Sequence, residues 1–275
     1  MRKAGSPSSR LFSYTGGMSW ATRRRTIIFS IIGAVLLIAL VSILFPVFYK
    51  APSCTDQKMN GKETGIDCGG TCTYLCSAEV GAAAPRFVRP FSPSAGRTDV
   101  ISYIDNPNKD LVAKDVHYTV ELYGTDATVI ARKEGITDIL PGATPVYIPN
   151  FTSGYAVVAR AFLSFDDTTI HWYRYEDQRV VPKYNFDAQI QGTTAPRIMA
   201  TLTNPSAKTL RDITVVATVF DASGNAIAAT QTVIPTIPPQ GISGAVFTWN
   251  EPFAGVPARI DIVPVVPLPA LPTNP

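Results

Sequence analysis

The sequence predicts an all-β protein held at a membrane: two tandem β-sandwiches, preceded by one transmembrane α-helix and a small disulfide knuckle. Three observations predict it. After residue 84 the apolar residues recur with the period of strands and show no convincing helix period. Two stretches of that region match one another at an offset of about 97 residues, with Asp115 falling on Asp212. The one long uncharged run, Ile27 to Tyr49, stands ahead of a cluster that holds all four cysteines.

A chain of 275 residues has room for about two domains of roughly 100–150 residues. Its formal charge of +3 hides an asymmetry. Residues 1–50 carry seven Lys or Arg and no acid, whereas residues 51–275 carry 17 basic and 21 acidic side chains. A basic excess confined to one end gives no footprint for nucleic acid, so none is expected as a partner.

The first element is a Ser- and Gly-rich basic tail, 1–26, with little to fold around, and it is expected to be disordered. The run 27–49 follows. Its 23 uncharged residues span about 34 Å as a helix, enough for a hydrocarbon core of about 30 Å, so the lipid bilayer is the first partner. Pro46 falls in the last turn, placed to end or bend the helix. A signal-peptide core is shorter, about 7–15 residues, and no small-x-small site follows directly, so the run reads as an uncleaved signal anchor. Six basic residues precede it, three of them at Arg23, Arg24 and Arg25, against Lys50 alone beyond. The positive-inside rule therefore places 1–26 in the cytoplasm and everything after Lys50 outside.

The knuckle, 51–80, contains Cys54, Cys68, Cys72 and Cys76, and the rest of the chain offers no other cysteine to pair with them. An even count in an exported segment reads as two local disulfides, with three connectivities open. The alternative is a zinc ion on four thiolates, which usually shows two closely spaced cysteine pairs. Between Cys54 and Cys68 lie Asp56, Asn60, Glu63 and Asp67, hard oxygen ligands of the kind calcium takes. On a 12-residue calcium loop Asp56 takes the first position, Asn60 the fifth, Gly61 the sixth and Asp67 the twelfth, while Lys58 occupies a usual ligand position. The competing reading is a polar turn closed by disulfides, with Asn60-Gly61 and Thr64-Gly65 as turn dipeptides. No cofactor is expected, with calcium on Asp56, Asn60, Glu63 and Asp67 as the exception that the sequence leaves open. The stretch PSCTDQKMNGKETGIDCGGTCTYLC resembles a cysteine module of bacterial surface proteins, especially single-pass envelope proteins of small-genomed candidate-phylum bacteria. In those it follows a membrane helix and precedes immunoglobulin-like domains. The resemblance implies a location and an architecture, not an activity.

Gly81 to Pro85 reads as a linker to two β-domains, 84–183 and 184–266. Val116, Tyr118, Val120 and Leu122 alternate with polar residues, as in a half-buried strand. In the matching stretch, Ile213 to Phe220, the second face is more apolar, with Val216 and Phe220 beside Thr214 and Thr218, which suggests a more central strand. Asn106-Pro107 and Asn204-Pro205 open the two copies, and Gly-Thr-Asp and Asp-Ala-Ser-Gly-Asn mark hairpins. A repeat of this length, with turn signals every 8–12 residues or so, fits an immunoglobulin-like sandwich of about 100 residues. The second copy, VVATVFDASGNAIAATQTVIPTIPPQG, resembles the FxLYD family of bacterial immunoglobulin-like domains, and ELYGTDATVIA in the first is a looser match. The shared positions pack and turn, so the resemblance implies fold rather than chemistry. A Pro-rich tail, 267–275, is expected to be extended.

Material for catalysis is scarce. No nucleophile elbow, zinc-protease helix, phosphate loop or dinucleotide fingerprint occurs, and the only histidines are His117 and His171, so no enzymatic activity is expected. Alternation from Ile170 to Tyr175 sets His171, Tyr173 and Tyr175 on one face and Trp172 on the other. With Trp172 beside it, that aromatic strand is the candidate platform for a sugar or peptide, or else ordinary core. The expected function is non-catalytic: a cell-envelope protein presenting two immunoglobulin-like domains outside the membrane to a protein or cell-wall partner, as scaffold, adhesin or accessory subunit. A calcium- or redox-responsive sensor stalk is the alternative, and glycan binding a third.

Overall fold

A computed structural model describes residues 19–269 except 153, 155 and 176–182, without the side chains of 46, 47, 152 and 184–189. Most of the basic tail, and the Pro-rich tail from 270 on, lie outside the described residues. The chain divides into two units, 1–52 and 53–275.

The first unit contains one helix, α1 (Trp20–Phe48). It starts seven residues ahead of the uncharged run and takes Arg23, Arg24 and Arg25 into its first turns. Ser19 caps it: its hydroxyl accepts from the Thr22 amide at 3.4 Å, and the Arg24 guanidinium lies 5.0 Å over the Trp20 ring. Pro46 does not end the helix, and the Tyr49 amide still donates to the Phe45 carbonyl at 2.8 Å. Mean hydropathy reaches 3.1 within Trp20–Phe45, and none of that window is buried in protein. A helix apolar all round and uncovered suits a membrane anchor or a signal sequence.

Beyond the knuckle the second unit is built of strands and one 3-10 turn among the described residues. The first sandwich has β1 (Ala84–Ser94), β2 (Arg97–Asn106), β3 (Leu111–Gly124), β4 (Val129–Ile139), β5 (Gly142–Thr152), β6 (Val158–Phe165) and β7 (Trp172–Arg174). Sheet β1-β2-β5 covers sheet β4-β3-β6, and β7 continues the β6 edge along β3 after a 3-10 turn at Asp167–Thr169. The second has β8 (Lys183–Gln191), β9 (Arg197–Thr203), β10 (Leu210–Phe220), β11 (Ala226–Ile237), β12 (Ile242–Thr248) and β13 (Arg259–Val265). Its sheets, β8-β9-β12 and β11-β10-β13, repeat the order of the first strand for strand. Each sandwich closes on its own core, Val100, Ile104, Val120, Leu122 and Ile148 in one, Ile198, Leu202, Ile213, Val219 and Phe247 in the other.

The two sandwiches also pack against each other. β2 is buried on both faces, and Ile101 and Tyr103 meet Val216, Phe220, Ala226 and Ala229 of the second sandwich. Phe87 stacks on Tyr103 at 5.3 Å and meets the edge of Phe220 at 6.2 Å. The Tyr103 hydroxyl donates to Thr218 Oγ1 at 3.2 Å. Four sheets therefore lie in one stack, which explains the two apolar faces of β10.

Two expected loose segments are tied down. In the linker, Gly81 donates to Asn108 Oδ1 at 3.0 Å and accepts from Asn108 Nδ2 at 2.7 Å. At the start of the Pro-rich tail, Leu268 is buried against Val112, Leu140 and Tyr173, and its amide donates to Asp138 Oδ2 at 3.1 Å.

Candidate functional site

In the knuckle Cys54 is bonded to Cys72 and Cys68 to Cys76, with Cα atoms 5.7 and 5.0 Å apart. This interlaced pairing selects one of the three connectivities and leaves no thiolate for zinc. The turn it closes needs Gly70, which sits at φ 60° where a Cβ would run into the Lys62 carbonyl.

The acids between the cysteines cap their own loop. Both Asp67 oxygens accept from the Gln57 amide, at 3.1 and 2.9 Å. Asp56 Oδ1 accepts from the Lys58 amide at 3.0 Å, and its Oδ2 from Asn60 Nδ2 at 2.7 Å. Glu63 Oε2 accepts from the Asn60 amide at 3.1 Å, while Asn60 Oδ1 is buried without a partner. Asp56, Asn60, Glu63 and Asp67 thus lie in one loop, but their acids do not converge on a point. Among the described residues, the one set of three ligand atoms from His, Cys, Asp or Glu within 4.8 Å of one another belongs to Cys54, Glu63 and Cys72, and its two sulfurs share a disulfide. The geometry is that of a hydrogen-bonded, disulfide-closed turn.

The aromatic strand does not present a platform. Trp172 is 5% exposed and belongs to the core of the first sandwich. Tyr173, also 5% exposed, packs with Val112, Leu140 and Leu268, and Tyr175 flanks that cluster. Only His171 is exposed, with Tyr74 of the knuckle 5.2 Å from its ring. The alternation is real, but the aromatic side chains on both faces are covered: Trp172 by the core, Tyr173 by Val112, Leu140 and Leu268. Leu75 of the knuckle donates its amide to the Trp172 carbonyl at 2.8 Å, fixing that arrangement. Burial pushes the Tyr173 hydroxyl up to about 12, so it stays protonated.

A polar network that periodicity did not single out lies in β2. The Asp99 side chain is 2% exposed. It accepts from Arg97 Nε and Nη2 at 3.0 and 2.9 Å, from the Tyr147 hydroxyl, and from the Asn150 amide at 2.9 Å. Burial and then the bond to Asp99 push the Tyr147 hydroxyl up, and the same carboxylate raises the Arg97 guanidinium. The network borders a cavity of about 150 Å³ between the sandwiches, lined by Phe91, Arg97, Tyr147, Ala229, Trp249 and Phe253. That is small beside the ~300–1,000 Å³ of most ligand pockets, and all four donors on Asp99 are spent. The signal in the sequence was an acid inside an otherwise apolar strand, Thr98-Asp99-Val100-Ile101.

No protein-family model matches the chain, and no curated protein matches it. Solved structures give distant likenesses. One is a red sea bream transglutaminase, 13% identical, with 69% of this chain and 32% of that one covered at a TM-score of 0.23. A β-glucuronidase of glycoside hydrolase family 2 is 9% identical, with 76% and 26% covered at 0.20. A β-galactosidase-like protein from Bacteroides fragilis is 8% identical, with 63% and 33% covered at 0.18. The chain spans about a third or less of each, and scores this low carry no inference about fold or activity.

Proposed function

We propose that the chain is a non-catalytic single-pass envelope protein with a cytoplasmic N-terminus. In this reading its two sandwiches, immunoglobulin-like and the second of FxLYD type, act outside the membrane as a scaffold for a protein or cell-wall partner. The observation that carries it is the agreement of two independent compartment markers, one in the first turns of α1 and one just beyond its end in the sequence. Arg23, Arg24 and Arg25 lie in the first turns of the helix, and clustered positive charge is retained on the cytoplasmic side. Shortly after the helix ends, all four cysteines are paired, which is the chemistry of an oxidising compartment.

Epitope accessibility in intact cells tests the topology. A C-terminal tag should be stained and cleaved by added protease without permeabilisation, and an N-terminal tag only after it. The reverse pattern, or a mature protein lacking residues 20–48, overturns the anchor. Cross-linking in intact cells followed by affinity capture tests the role. A stoichiometric protein or wall fragment is expected, and turnover of a substrate by the purified chain would replace the scaffold reading.

A further inference from the structure

The cavity between the sandwiches is too small for a drug-sized ligand, yet a cavity of about 150 Å³ holds a compact group of about six heavy atoms. Four aromatic side chains line it, Phe91 and Tyr147 from the first sandwich and Trp249 and Phe253 from the second. The Phe91 and Tyr147 rings lie 22° from parallel with centroids 6.4 Å apart, whereas Trp249 and Phe253 meet at 79° and 5.1 Å. The four rings therefore cannot form one stack, and they wall the space from more than one direction. The Trp249 indole is fixed there by its Nε1, which donates to the Ala229 carbonyl at 3.3 Å.

Three charged side chains line the same space, Arg97, Asp99 and Glu251. Arg97 and Asp99 cancel, joined by two bonds of 3.0 and 2.9 Å. Glu251 is exposed and has no ion pair among the described residues, so the excess charge is negative. Aromatic faces attract a cation and repel an anion. The walls and the charge thus select the same sign.

The hydrogen bonds select the kind of cation. The buried acceptors at the site are taken: the Asp99 carboxylate by Arg97, Tyr147 and Asn150, and the Ala229 carbonyl by Trp249. A primary ammonium brings three N–H donors and a tight hydration shell, and would give up its water for too few acceptors. A quaternary ammonium spreads its charge over methyl groups and has no N–H to satisfy.

We propose that this cavity is an aromatic cage for a quaternary ammonium group of the choline type, free or at the head of a lipid. The inference goes beyond the scaffold reading and stands whichever side of a membrane the sandwiches occupy.

The test is titration of the full chain, in a maltoside detergent, with choline, followed by tryptophan fluorescence and calorimetry. Saturable binding with a Kd of about 1 mM or below is expected. The neutral tert-butyl analogue of choline, which keeps the shape without the charge, should bind at least about tenfold more weakly, and so should ethanolamine, with its three N–H donors. Phe253→Leu should weaken choline binding about tenfold, and Glu251→Gln, at an exposed position, about threefold; the second serves if the first does not fold. Displacement of choline by a short-chain phosphatidylcholine below its micellar concentration would identify a lipid head as a ligand, and failure to displace it would identify the free cation. No saturable binding of choline, equal binding of the tert-butyl analogue, or an affinity unmoved in both variants would overturn the proposal.

Discussion

Ala127 and Gly224 occupy the same place in two hairpins, one in each sandwich, and both have left-handed backbone, φ 63° and 80°. In the first hairpin Gly124 donates to Thr128 O at 2.9 Å, and in the second Asp221 donates to Asn225 O at 3.0 Å. Asp126 accepts from Thr128, and Asp221 from Ser223 and Asn225, bonds that hold both carboxyls below their usual range.

An alanine in that conformation is strained by about 1–2 kcal/mol, and a glycine is not, at the cost of extra unfolded-state freedom. Ala127→Gly should therefore stabilise the chain by about 0.5–1 kcal/mol. Gly224→Ala should destabilise it by about 1 kcal/mol. Urea midpoints of the two variants check the opposite signs.

Asn204 is fully buried, and its amide donates to the carbonyls of Lys208, Ile237 and Pro238 at 2.7, 3.2 and 3.0 Å. Asn106 does the equivalent work with one such bond, to Leu111 O at 2.8 Å. Asn204→Ala leaves three acceptors short of a donor and should cost about 2–3 kcal/mol; Asn106→Ala should cost about half that. Equal costs in denaturant melts would contradict the difference in bonding.

Burial pushes the Tyr103 hydroxyl up to about 12, from an ordinary value of 10.0. A raised folded-state value favours folding while the group is protonated. The contribution is complete below pH 10 and is lost as pH rises through 12. Stability should fall across that window, and Tyr103→Phe should make the fall shallower. Melting temperature against pH, with tyrosinate absorbance followed in parallel, reads both.

Peptide mapping without reduction should recover Cys54 with Cys72 and Cys68 with Cys76, and thiol reagents should label none of the four. The sequence separations are 18 and 8 residues. Replacing the first pair with alanine should cost about 3 kcal/mol, and the second slightly less.

Leu268 is 4% exposed and lies on the first sandwich although it follows the last strand of the second. Leu268→Ala should cost about 2–4 kcal/mol. Hydrogen exchange should rise at Val112 and Tyr173, far from it in sequence. No change there would show that the contact is not maintained in solution.

What the sequence made legible was local. The apolar helix, the cysteine cluster, the hairpin turns and the offset between Asp115 and Asp212 all depend on neighbours in the chain, and pattern alone reaches them. What it hid was contact between distant segments. A half-buried strand has one inner face, yet in β2 Val100 and Ile104 face one core while Ile101 and Tyr103 face another sandwich. Tyr173 reads as outward until Leu268 and the knuckle cover it. The acids of the knuckle read as ligands because their spacing is compatible with calcium, whereas which backbone amides they meet is decided by the disulfide pairing.

The double-sided burial of β2 has a consequence for how the chain is made. Tyr103 and Thr218, its partner across the interface, are 115 residues apart. At synthesis rates of roughly 5–20 residues per second, the covering strands arrive about 6–23 s after the face they cover. During that interval a nascent first sandwich displays Phe87, Phe91, Tyr103 and Tyr147 to whatever surrounds it. A ribosome- or translocon-bound fragment ending near residue 175 should therefore recruit holding chaperones, and the completed chain should release them.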